Sequence, residues 1–107
     1  MAGPSDIAAR DGDPVLVKDM LVALTAAELV YEDGSTQRFD PDGSTTFVEN
    51  GRPSPGEWSV VDDGRFSSFW PPRYRATYDI GWVVEDGHPV GLTFTDGNGE
   101  RFSGRYR

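Results

Sequence analysis

Apolar and polar residues alternate along most of this chain, and the period of the alternation changes once. Over VLVKDMLVALTAAELVYE, Leu16, Met20, Ala23, Leu24 and Ala27 recur at helical spacing, which gives one face of a helix an apolar stripe. Asp13 or Pro14 stands near a suitable start. The spacing predicts a short helix over about 15–25. From Glu28 the period is two: Leu29 and Tyr31 alternate with Glu28, Val30 and Glu32, as in a half-buried strand.

Beyond that point turn signals cut the chain at regular intervals. Asp-Gly occurs at 33–34, 42–43, 63–64, 86–87 and 96–97, and Asn-Gly at 50–51. Glycine accepts a positive φ, and aspartate hydrogen-bonds its own backbone, so each pair marks a turn. The runs between them are rich in Thr, Val, Phe, Tyr and Trp and predict an antiparallel meander. The strands expected are 27–32, 35–40, 44–49, 56–61, 65–70, 73–79, 80–86, 89–95 and 100–106. The stretch 73–86 reads as one long strand or two, with Gly81 a candidate bulge or bend. GRPSPG, 51–56, reads as a loop because two prolines interrupt it. Residues 1–14 lack periodicity and read as a disordered tail, which leaves 15–107 as a single domain.

Strand phase gives the architecture. In 73–86, Tyr74, Ala76, Tyr78, Ile80, Trp82 and Val84 share one face, and Arg73, Arg75, Thr77, Asp79 and Glu85 the other. Val90, Leu92 and Phe94 alternate likewise, as do Phe102 with Tyr106, Trp58 with Val60, and Phe66 with Trp70. A sheet with one apolar face must cover it, and few helical residues are available to do so. Closing the sheet on itself covers the face and removes exposed edges. The fold class expected is therefore all-β: an antiparallel up-and-down barrel of about eight strands, with the N-terminal helix on one end or side.

Charge and composition narrow the chemistry. The 107 residues carry a net charge of -8, which argues against a nucleic-acid partner, since phosphate contacts need a basic surface. The charge is uneven. Residues 1–72 hold 13 acidic and 5 basic side chains, whereas residues 73–107 hold 5 of each. The basic ones in the second part are Arg73, Arg75, Arg101, Arg105 and Arg107. They form ordinary polar strand faces, or a patch that meets an anionic ligand or the chain's own acidic part. Cysteine is absent and His88 is the only histidine, so thiolate chemistry and a histidine-based zinc site lack their ligands. No metal and no cofactor is expected. The N-terminus shows no basic segment followed by an apolar one, and no spanning segment is evident, so a cytoplasmic protein without a membrane partner is expected.

Several segments together resemble the small bacterial lipocalin-like, or calycin-type, β-barrels. They are YEDGSTQRFDPDGSTTF, GEWSV, DGRFSSFWPP, YRATYDI and the closing FSGRYR, and the resemblance covers about residues 16–107. Its short motifs are Gly-x-Trp (Gly56, Glu57, Trp58) and Arg105 beside Tyr106. Lipocalins carry the Gly-x-Trp on their first strand, with a late arginine packed across the tryptophan; here Gly56–Trp58 lies mid-chain. The resemblance implies a closed barrel with a ligand cavity at one mouth.

The candidate ligand-binding residues are the inward-phased aromatics Trp58, Phe66, Trp70, Tyr74, Tyr78, Trp82 and Phe94. An eight-stranded barrel is only wide enough to be filled by side chains or to hold one small ligand. These rings therefore fill the interior, or they line a pocket for a hydrophobic or planar molecule. Trp70-Pro71-Pro72-Arg73 reads as a stiff corner that places Trp70 and Tyr74 near one rim. Asp33, Asp42, Asp62, Asp63, Asp86 and Asp96 sit at turns, where aspartate holds the backbone. Asp79 is mid-strand, where aspartate is disfavoured. It is a candidate catalytic carboxylate or the partner of a cross-strand arginine, with Tyr74 and Tyr78 as further acid–base candidates. His88 reads as an exposed turn residue. Three functions follow in order of preference. The first is binding of a small hydrophobic or aromatic molecule. The second is a cofactor-free isomerase, cyclase or hydratase in the same barrel. The third is a structural or interaction module with a filled barrel, where a homo-oligomer would use the outer surface.

Overall fold

A computed structural model describes residues 7–61 and 64–107. The chain forms a closed antiparallel barrel in which every strand pairs with its neighbours in sequence and the last pairs with the first. The strands are β1 (Leu29–Tyr31), β2 (Thr36–Phe39), β3 (Ser44–Glu49), β4 (Arg52–Val60), β5 (Phe66–Trp70), β6 (Tyr74–Glu85), β7 (His88–Thr95) and β8 (Arg101–Tyr106). A short 3-10 segment, Val17–Asp19, leads into a short helix α1, Met20–Thr25. No described helix is long and apolar enough to cross a membrane.

The turns follow the local chemistry. Asn50-Gly51 and Asp86-Gly87 have φ values of 52° and 76°, and 52° and 79°, the mirror-image turn that matches the twist of two-residue hairpins. Asp33, Asp42 and Asp96 each accept a backbone N–H two residues on, at 2.9 Å. Asp62 and Asp63 lie outside the described residues.

Three features settle or correct the sequence reading. The stretch 73–86 is one strand, β6, so the expected nine runs become eight strands. Its register shifts between Val83 and Val84, beside Val90 of β7. Gly81 has another role, as the point where Asp13–Pro14 crosses β6. Gly12 N–H donates to Trp82 O, Trp82 N–H to Asp13 O, and Val15 N–H to Ile80 O, at 2.8, 2.8 and 2.9 Å. The N-terminal segment thus occupies the flank of β6 that lies beyond the end of β5. The expected tail spans 1–14, of which 1–6 lie outside the described residues.

The proline-rich stretch 51–56, expected as a loop, belongs mostly to β4. Pro53 and Pro55 stand opposite Val48 and Thr46 of β3, while Ser54 stands opposite Phe47. On its other side β4 meets β5 only from Glu57 onward. The two prolines alternate along the strand, so both direct their missing N–H toward the flank that has no partner. Proline is tolerated on such an edge.

The helix closes one end of the barrel. Met20, Ala23 and Leu24 are buried with Leu29, Phe39, Trp82 and Leu92, each large side chain contributing roughly 1.5–3 kcal/mol by leaving water. Tyr106 Oη–H donates to Ala23 O at 2.6 Å, which satisfies a carbonyl the short helix leaves unpaired. Burial raises the Tyr106 phenol above its ordinary pKa.

Candidate functional site

The end opposite the helix is open. A cavity of about 370 Å³ enters there, within the usual range for a small-molecule site. Every strand except β4 supplies lining residues, or the turn beside it does. The barrel interior is therefore divided in two: a filled half against α1 and a hollow half toward the β1–β2, β3–β4, β5–β6 and β7–β8 turns.

Aromatic rings form the wall in a chain of contacts. Trp70 meets Phe47 at 6.4 Å between centroids, Phe47 meets Tyr31 at 6.2 Å, and Tyr31 meets Phe94 at 6.3 Å. Phe94 meets Tyr78 at 6.1 Å and Tyr78 meets Phe102 at 6.4 Å, both edge-on. Phe66 touches Phe94 and Tyr78 at 5.5 and 6.0 Å. Such tilted and edge-on pairs suit the quadrupole of each ring.

Trp70 holds its place because Gly56 has no side chain. A Cβ there would lie 2.5 Å from Trp70 Cε3 and 2.8 Å from Phe69 O. This is what the glycine of Gly-x-Trp does in the present chain: it seats a different tryptophan at the cavity. Trp58 itself packs beneath, stacked on Phe66 and edge-on to Phe39, and its Nε1–H donates to Asp40 O at 3.0 Å. Arg105 is on β8, four strands around the ring, where it makes a two-pronged pair with Glu85.

Of the aromatics singled out by phase, Phe66, Trp70, Tyr78 and Phe94 border the cavity. Trp58 and Trp82 lie in or against the filled core, and Tyr74 is 61% exposed. Asp79 is exposed on the outer wall, opposite Thr95, and shares a shallow groove with Arg101. His88 is exposed. The described residues contain no group of His, Cys, Asp or Glu that could hold a metal ion. Arg105 and Arg107 pair with Glu85 and Glu28, and Arg75 lies 4.8 Å above the Phe69 ring.

The polar lining was not singled out from the sequence. Tyr31 Oη–H donates to Gln37 Oε1 at 2.6 Å, Gln37 Nε2 donates to Thr45 Oγ1 at 3.0 Å, and the Thr45 hydroxyl donates to Arg38 O at 2.8 Å. The chain fixes the orientation of the Gln37 amide and pins the Tyr31 ring. Burial, then the neighbouring Tyr78 and Asp33, raise the Tyr31 phenol above its ordinary pKa. Tyr78 is raised as well, by burial and then by Tyr74 and Asp96. Ser68 is different. It borders the cavity and is 3% exposed, and its Oγ has no hydrogen-bond partner. A buried hydroxyl without a partner costs free energy, so the site carries unspent hydrogen-bonding capacity. Asp33, Ser35 and Glu49 complete the lining. The signal for Ser68 was present in the sequence, since it shares the phase of Phe66 and Trp70.

Compared with protein-family models, curated proteins and solved structures, the chain matches none. The fold and the cavity define it as an eight-stranded β-barrel that is hollow and aromatic-lined at one end.

Proposed function

We propose that this protein binds a small hydrophobic or aromatic molecule in the open half of its barrel, as the lipocalin-like, calycin-type barrels it resembles do. The observation that carries the reading is the aromatic-walled cavity of about 370 Å³ beside a filled core. Phe66, Trp70, Tyr78 and Phe94 are the ligand-facing aromatics of the original set, joined by Tyr31, Phe47 and Phe102.

Binding is favoured over acid–base catalysis by where the carboxylates stand. Asp79 is on the outer wall, the cavity's own carboxylates belong to Asp33 and Glu49 beside the turns, and both cavity phenols are pushed away from neutral pH. A general acid or base works best with a pKa near the working pH.

Titration with the neutral dye N-phenylnaphthylamine tests the proposal. Saturable brightening at one dye per chain is expected, weakened in Trp70→Ala, a variant first shown by circular dichroism to be folded. No brightening with the wild-type chain refutes it.

A further inference from the structure

We propose that the cavity is built for an aromatic molecule carrying a cationic amine, with its ring among the aromatic wall and its ammonium group at the rim formed by Asp33 and Glu49. This rests on the binding function above and specifies its ligand class. Among the described residues, Asp33 and Glu49 are the only charged ones that line the cavity, and no described lysine, arginine or histidine does so. Neither carboxylate has an ion-pair partner among the described residues. By contrast Asp40, Glu28 and Glu85 each hold an arginine. The Asp33 carboxylate is fixed by Ser35, whose N–H and Oγ–H both donate to it. Hydrogen bonds to the charged form hold its pKa below the ordinary value and keep it ionised.

The aromatic wall acts in the same direction. Ring faces are electronegative and attract a cation in a partly dry site. The net charge of -8 adds a long-range bias against anions. A fatty acid or other carboxylate would bring negative charge to a negative rim, because Arg52, which stands opposite Glu49 in the hairpin, is not among the residues that line the cavity. The second, independent observation is Ser68, whose buried Oγ borders the same cavity without a partner. It can serve a polar edge on the ring, such as the N–H of a heteroaromatic.

Calorimetric titration with tryptamine, indole and indoleacetate tests this, because the three share a ring system and differ in charge. Tryptamine is expected to bind tightest and indoleacetate weakest, about tenfold apart, as two exposed charge interactions allow. The gap shrinks at high salt, since rim charges are screened. Glu49→Gln lowers tryptamine affinity about threefold. Equal binding of all three, or tightest binding of the acid, overturns the amine assignment and leaves the binding function standing. Binding of N-phenylnaphthylamine but of none of the three also overturns the assignment alone. Failure of N-phenylnaphthylamine to brighten with the wild-type chain removes the binding function itself, and this inference with it.

Discussion

Replacing Ser68 with alanine should make the protein more stable, which is the reverse of the usual outcome for a buried residue. Ser68 is 3% exposed and its Oγ has no partner. Leaving a buried hydroxyl unsatisfied costs roughly 1–3 kcal/mol. Ser68→Ala removes that cost. The void left by one oxygen atom, on the order of 10 Å³ at about 24 cal/mol per Å³, offsets only about 0.2 kcal/mol. Net stabilisation of about 1–3 kcal/mol corresponds to a Tm increase of roughly 4–12 °C in a domain of this size. Thermal melts and urea unfolding give the answer together, with a higher midpoint and an unchanged urea slope. The same substitution should weaken a ligand that offers a hydrogen bond to this position by about fivefold, roughly 1 kcal/mol. An unchanged or lowered Tm would mean that the hydroxyl is satisfied, and the argument that Ser68 holds capacity for a ligand would fail with it.

Three further predictions concern other parts of the molecule. Gly56→Ala places a Cβ against Trp70 and the Phe69 carbonyl; it should cost about 1–3 kcal/mol and weaken dye binding, and wild-type-like melting and binding would contradict the seating role. Asp42 is held below its ordinary pKa by hydrogen bonds from the Ser44 side chain and backbone. That stability is present above the ordinary carboxylate range and lost as pH falls through the lowered value, so Asp42→Asn should flatten the acid limb of Tm against pH, and superimposable limbs would refute it. Burial raises Tyr31 and Tyr106, so their contribution is intact below about pH 10 and lost as pH rises toward the raised values. Near-ultraviolet absorbance should show these two ionising only as the barrel unfolds, and complete ionisation of all four tyrosines in a folded barrel would count against it.

How much of this was legible depends on the kind of information each residue carries. Alternation in 73–86 assigned Tyr78 and Trp82 to the inner face and Asp79 to the outer, and the structure has them so. The paired turns at Asn50-Gly51 and Asp86-Gly87 were equally plain, because a positive φ leaves its mark in residue type. The proline stretch misled, since a proline that faces an unpartnered edge looks in sequence like one that breaks a sheet. The link between Gly12–Val15 and β6 was invisible, because it is made by backbone atoms, which any sequence possesses.

By itself the sequence determined most of the wall: its turns, its helix, its strands apart from the proline-rich start of β4, and which side of the strands faces inward. Side-chain period and turn chemistry are local, and they act before the chain closes. Only the tertiary structure decided depth. Trp58, Trp70, Tyr74 and Trp82 share the inward phase, yet one stands at the cavity, two lie in or against the filled core and one is outside at the strand end. Period two tells which way a side chain points, but it does not tell how far along the axis it lies or which ring faces it across the barrel. Closure of β8 onto β1 and the seating of α1 at one end set those distances. They leave the other end hollow, with a serine hydroxyl unpartnered beside it.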